Sequence, residues 1–155
     1  MSADYQVGPL TAANVARAYA IIEHLFPSVS LTEWQAATDT DHKRRNWLIV
    51  TDRAEVVRGV CYVFVTGKAS HLQMEVPVFA SFSLFDERGI ARSLFDQTKD
   101  MAKSLNCQRI HFWPAGTKGW SVVSNPGFSP PPSAGLVYDL RSVADGDNST
   151  DAAKT

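Results

Sequence analysis

Phe85-Asp86-Glu87-Arg88-Gly89-Ile90-Ala91 is the stretch on which the fold turns, because an extended aromatic run enters it and a strongly amphipathic helix leaves it. Downstream, Ile90, Leu94, Thr98, Met101 and Leu105 recur at helical spacing, flanked by Ala91, Phe95 and Ala102. That stripe predicts a helix over 90–105 with Asn106 as its cap. Upstream, residues 72–85 read as a strand, and Pro77, having no N–H to give, predicts a bulge, kink or one-sided pairing there. Gly89 lets the backbone approach a ligand with no Cβ in the way. The first free N–H groups of the helix, at its positive end, suit an anion such as a pyrophosphate. Arg88 and Arg92 can add charge-assisted contacts. An ordinary strand–helix turn, with glycine there for geometry alone, fits the same residues.

Working outward, residues 5–10 form a strand candidate, and Thr11 is placed to cap a helix over 12–26 whose apolar face is Val15, Ala18, Tyr19, Ile22, Leu25 and Phe26. Pro27 ends it. Ser30 and Glu33 make a capping box for a second helix over 31–38. A polar loop over 39–46 carries His42, Lys43, Arg44 and Arg45. The period then changes: 47–51 and 56–66 are β-branched and aromatic, joined by Asp52-Arg53-Ala54-Glu55, and read as a hairpin continued by 72–85 as a third antiparallel strand. After the long helix come a strand over 109–113, a short helix over 117–124 ended by Asn125-Pro126-Gly127, and a last strand over 135–140. The order β-α-α-β-β-β-α-β-α-β predicts an α+β protein, a mixed and mainly antiparallel sheet flanked by helices, in one domain over 1–141.

Bulk properties exclude more than they assign. The 155 residues are 45% hydrophobic and 20% charged, close to an average globular domain. Fifteen Lys+Arg against sixteen Asp+Glu give a formal charge of −1, so no basic surplus points to nucleic acid. The tail 142–155 is Ser-, Asp- and Ala-rich and reads as flexible. It holds Asp145, Asp147 and Asp151 against Lys154, a net of −2, which leaves +1 on residues 1–141. No apolar run is long enough to span a bilayer, and the N-terminus lacks the basic and apolar regions of a secretory signal, so a cytoplasmic protein is expected. Cys61 and Cys107 lie outside any CxxC or Cys/His spacing, so buried free thiols are expected and no metal site.

Strand, Gly-x-Ala turn, long helix, short strand and a short helix leading to Gly127-Phe128, all behind two helices and a hairpin, resemble the GNAT superfamily of N-acetyltransferases over nearly the whole chain. That family's acyl-CoA loop reads Arg/Gln-x-x-Gly-x-Gly/Ala. Here Asp86-Glu87-Arg88-Gly89-Ile90-Ala91 matches it at Gly89 and Ala91, with Asp86 in the leading position. The resemblance implies cofactor contacts along Asp86, Glu87, Arg88, Gly89, Ile90, Ala91 and Arg92, and a pantetheine arm bonded to the strand-end backbone at Ser81, Phe82 and Ser83. Glu75-Val76-x-x-Phe79-x-Ser81 falls in register with the family's Glu-Leu-x-x-Leu-x-Val strand. It implies that Glu75 is a general base, directly or through water, for an attacking amine. A solvated strand residue or a salt-bridge partner is the plainer reading of Glu75.

The resemblance thus implies transfer of an acetyl group from acetyl-CoA to a primary amine by direct attack. The family's closing helix departs: Val123 stands where a Tyr often protonates the leaving thiolate, and Gly116 where an Asn often contacts the cofactor. A degenerate acyl-CoA-binding or protein-interaction module on the same fold is therefore the alternative. A toxin-like enzyme acting on charged tRNA would need a basic groove, which only residues 42–45 suggest. The sequence is compatible with a homodimer. His111 reads as an ordinary strand residue, and His24 and His71 have no sequence partner. Trp47, Trp113 and Trp120 read as core or pocket wall, while Trp34, with Glu33, Asp39 and Asp41, is placed to border an acceptor pocket for a cationic or aromatic amine.

Overall fold

The computed structural model describes residues 5–83, 86–116, 118–125 and 131–141. The tail 142–155 and the Gly127-Phe128 pair lie outside them. Six strands form one sheet in the order of the sequence: β1 (Gln6–Pro9), β2 (Trp47–Thr51), β3 (Val57–Lys68), β4 (His71–Ser81), β5 (Arg109–Phe112) and β6 (Leu136–Asp139). All neighbours are antiparallel except β4 and β5, which run parallel. The mixed sheet and its flanking helices are those expected from the sequence.

The helix after β4, here α4 (Glu87–Ser104), begins three residues before its apolar stripe because Asp86 caps it and Glu87 adds an acid to its first turn. Ile90, Leu94, Thr98 and Ala102 are buried; Met101 is half-buried and Leu105 is exposed, so the stripe is narrower than its spacing suggested. Asn106 takes the left-handed φ of 61° that ends the helix. The stripe packs on Leu48, Val50, Cys61, Val63, Met74, Val76 and Ile110, one face of the sheet. Burying Ile90 and Leu94 stabilises this contact by about 2 kcal/mol each.

The opposite face, Trp47, Ile49, Val60, Tyr62, Val78 and Trp113, is covered by α1 (Val15–Leu25), α2 (Leu31–Ala37) and α5 (Lys118–Ser124). The first expected helix is divided: Ala12–Asn14 is a 3₁₀ turn, and the Thr11 side chain makes no capping bond. Both bonds of the Ser30–Glu33 capping box are present. The expected polar loop holds a one-turn helix, α3 (Asp41–Arg44), because the Thr40 hydroxyl accepts the N–H of Lys43. Trp34 is fully buried, its indole N–H donating to the Val15 carbonyl at 2.6 Å, so it is core and borders no pocket.

Pro77 produces the irregularity that its sequence position required. Tyr62 pairs with Val78 and Phe64 with Glu75, so Val76 and Pro77 together face the single residue Val63. This bulge shifts the pleat by one. Met74 and Val76 point to α4, whereas Val78 joins the opposite core.

Candidate active site

The bulge lies where β4 and β5 part. They pair only from Gln73–Arg109 to Val76–Phe112, and a last bond runs from the Trp113 N–H to the Val76 carbonyl at 3.0 Å. β4 continues to Ser81 while β5 ends. The N–H of Phe82 donates to Arg58 on the β3 side at 2.7 Å, which fixes the parity of the strand. The backbone of Ser81 and Phe79 therefore turns to the side that β5 has left. Of the three expected strand-end contacts, Ser81 faces the gap. The N–H of Phe82 is already used, and its ring packs edge-on against His24 at 4.9 Å. The Ser83 hydroxyl accepts the N–H of Asp86. Phe79 was not expected, because the parity depends on where the bulge falls. α5 closes the gap from beyond: a Cβ on Gly119 would stand 2.7 Å from the Pro77 carbonyl.

At the end of the gap, the start of α4 already holds an anion. The Asp86 carboxylate accepts the N–H of Gly89 at 3.2 Å and the hydroxyl of Tyr5 at 2.6 Å. The Tyr5 hydrogen bond, with the Gly89 N–H, holds the Asp86 carboxyl below its ordinary range. The N–H of Ile90 is bonded to the Asp86 carbonyl and its side chain is in the core, so neither Gly89 nor Ile90 keeps a free amide for a ligand. Tyr5, Asp86, Arg88, Gly89, Arg92, Ser93 and Asp96 surround a recess of about 520 Å³. Glu87, Arg88 and Arg92 are exposed, and Ala91 is half-buried.

Glu75 is neither solvated nor open to a substrate. It has no exposed surface. One carboxylate oxygen accepts the indole N–H of Trp113 and faces His111 Nδ1, each at 2.8 Å; the other accepts Gln73 at 2.6 Å and Thr66 at 3.1 Å. His111 Nε2 donates to the Ala134 carbonyl at 2.7 Å, since a carbonyl only accepts. A buried pair, Glu75–His111, therefore ties β4, β5 and the segment before β6 together, and His111 is a packed strand residue. No sequence spacing announces this pair: the residues are 36 apart and meet through the parallel register Glu75–His111.

Beside the gap, on the α1–α2–α5 side, is a cavity of about 540 Å³. Its walls are Tyr62 and Phe64 from β3, Trp120, Val122 and Val123 from α5, and Ala36 and Ala37 from α2, with Glu33, His42, Lys43, Asn46 and Ser124 supplying polar groups. Trp120, not Trp34, is the indole at this pocket. Lys43 is paired with Asp39 at 3.0 Å and bonded to the Ala36 carbonyl. Among the described residues no group of three His, Cys, Asp or Glu is placed to hold a metal, and no helix is long and apolar enough to cross a membrane. Cys61 and Cys107 are free and buried, and burial pushes the Cys61 thiol up to about 12.

The sheet has one parallel pair, β4–β5, and the two strands part beyond Val76, where β4 is bulged. The sequence matches no family profile and no curated protein. Solved structures do match. An acetyltransferase of Trypanosoma brucei superposes with a TM-score of 0.59 at 14% identity, covering 88% of this chain and 100% of that one. A glucosamine-6-phosphate N-acetyltransferase from Arabidopsis thaliana gives 0.59 at 10% identity, covering 84% and 97%. An aminoglycoside N-acetyltransferase in complex with CoA gives 0.58 at 14% identity, covering 88% and 95%. The chain has the GNAT N-acetyltransferase fold.

Proposed function

We propose that the protein is an N-acetyltransferase that moves an acetyl group from acetyl-CoA to a primary amine by direct attack, with no acyl-enzyme. The observation that carries this reading is the gap beyond Val76, which the backbone of Phe79 and Ser81 faces beside the start of α4. A pantetheine arm would lie there as an added strand, its amides bonded to β4. The diphosphate would meet the recess lined by Asp86, Arg88, Gly89 and Arg92, with the exposed Glu87 and half-buried Ala91 beside it, and Arg88 and Arg92 would supply charge-assisted contacts. The CoA held by an aminoglycoside N-acetyltransferase of this fold supports CoA as the donor's carrier. The amine would occupy the aromatic cavity of Tyr62, Phe64 and Trp120.

Glu75 does not meet the amine in this reading. It has no exposed surface and its oxygens face Trp113, His111, Gln73 and Thr66, so it acts as a positioning residue for His111 and Trp113. The ammonium loses its proton to water. One observation favours a second reading, a binding module without turnover: the Asp86 carboxylate already sits on the helix terminus where the phosphates would go. An assay of thiol release from acetyl-CoA over a panel of aryl, alkyl and sugar amines separates the two. Amine-dependent release supports the transferase. Saturable CoA binding with no release on any amine supports the module.

A further inference from the structure

We propose that the hydroxyl of Tyr62 is the group that meets the departing sulfur, a catalytic residue outside the segment from which the family resemblance would draw one; the inference rests on the transferase reading above. When the amine nitrogen bonds to the thioester carbon, the C–S bond breaks and the sulfur leaves with its electron pair. Beside the largely apolar wall of this cavity, a donor at hand spares the sulfur that charge. The position expected to supply it, Val123, carries a hydrocarbon on this cavity's wall.

The same wall carries Tyr62. It stands in register with Val78, the first residue past the bulge, and shares one face of the sheet with Val78 and with Trp113, the residue that follows β5. Gly119 of α5 closes against Pro77 and Val78 from the other side. The ring is held by Trp47 at 4.9 Å and Phe64 at 6.4 Å between centroids, and only 8% of the residue is exposed. Among the described residues, none is hydrogen-bonded to its hydroxyl. The other donors at the cavity are committed or unsuited. Lys43 bonds Asp39 and Ala36, Asn46 donates to the Val63 carbonyl, and Ser124 donates to Trp120 and Ser121. The Trp120 indole gives a hydrogen bond but not a proton, and His42 sits on the exposed α3.

Burial pushes the Tyr62 phenol above its ordinary value of 10, so the donor is in its protonated form at neutral pH. As the C–S bond breaks, the phenolic proton passes to sulfur, giving the free thiol. The nitrogen, cationic once bonded, gives up its second proton, which reprotonates the phenolate through water, while the proton the ammonium lost first is the one released. The balance is one amide, one thiol and one proton released for each ammonium and thioester consumed.

Tyr62→Phe keeps the ring and removes only the hydroxyl. The expected result is a fall in kcat of about a hundredfold, with melting temperature, CoA affinity and amine KM within about twofold of the parent. The parent kcat should also decline in alkali as the phenol ionises, and the variant should lack that limb. Turnover within about twofold of the parent, or a loss matched by weakened CoA binding or a lowered melting temperature, overturns the assignment of Tyr62 and leaves the transferase reading standing. A parent protein that binds CoA yet releases no thiol with any amine overturns both.

Discussion

Replacing Glu75 by Gln is the perturbation whose outcome the structure constrains most tightly. The carboxylate has no exposed surface; it accepts from Trp113, Gln73 and Thr66 and faces His111 Nδ1. An amide offers one accepting oxygen and one donating NH2. If its oxygen faces Trp113 and His111, the NH2 faces Thr66 and Gln73, which can each rotate to accept. His111 cannot adapt so easily. Its Nε2 hydrogen is held by the Ala134 carbonyl, so an amide oxygen opposite Nδ1 would set lone pair against lone pair. Turning the amide over instead sets its NH2 against the Trp113 indole, which can only donate.

Either arrangement breaks a buried pair by removing one partner, which costs about 3–5 kcal/mol. Set against a total of about 5–15 kcal/mol for a domain, that is a large share. It should lower the melting temperature by roughly 10 °C. Urea unfolding measures it directly, with an unchanged slope and a lowered midpoint. A cycle with His111→Gln should show coupling of at least about 1 kcal/mol. A loss of stability under about 1 kcal/mol would refute the reasoning.

Other outcomes follow from the same geometry. Asp86→Asn keeps an oxygen for the Gly89 N–H and turns its NH2 to the Tyr5 hydroxyl, which can accept, while removing a charge from the recess. CoA should bind about five- to tenfold tighter at low salt, with the gain shrinking near ~0.5 M salt; equal or weaker binding would show that phosphates do not lie there. Gly119→Ala places a Cβ 2.7 Å from the Pro77 carbonyl, so α5 must shift. Urea unfolding should report a loss of about 1–3 kcal/mol, and an unperturbed variant would mean that α5 stands clear of the gap. Cys61, with its thiol pushed up to about 12, and Cys107, raised by burial, should react with an aromatic disulfide at pH 8 only as fast as the protein opens. A rapid phase with one equivalent would contradict the packing.

The elements that announce themselves locally were legible in the sequence. The capping box at Ser30 and Glu33 needs only two side chains three residues apart, and the period of Ile90, Leu94 and Thr98 needs only one helix. Pro77 gave away the bulge because a missing N–H is a local fact. What the bulge does is not local. The turn of Phe79 toward the gap depends on counting residues from a pairing with β3. The Glu75–His111 pair depends on a parallel register that no hairpin spacing sets. Trp34 misled for the converse reason: an aromatic residue on a short helix looks the same in sequence whether it lines a pocket or fills the core. Asp86 was legible as a departure from the resemblance, but its bond to Tyr5 joins residues 81 apart.

The account stands most directly on whether CoA enters the gap between β4 and β5. Calorimetric titration of the full chain with CoA should give a single site with a dissociation constant below ~1 mM, a free energy beyond about −4 kcal/mol. Its strength should fall as salt rises if Arg88 and Arg92, which line the recess proposed for the diphosphate, meet it there. No heat and no shift in melting temperature at ~1 mM CoA would contradict the account, leaving the fold without its proposed substrate.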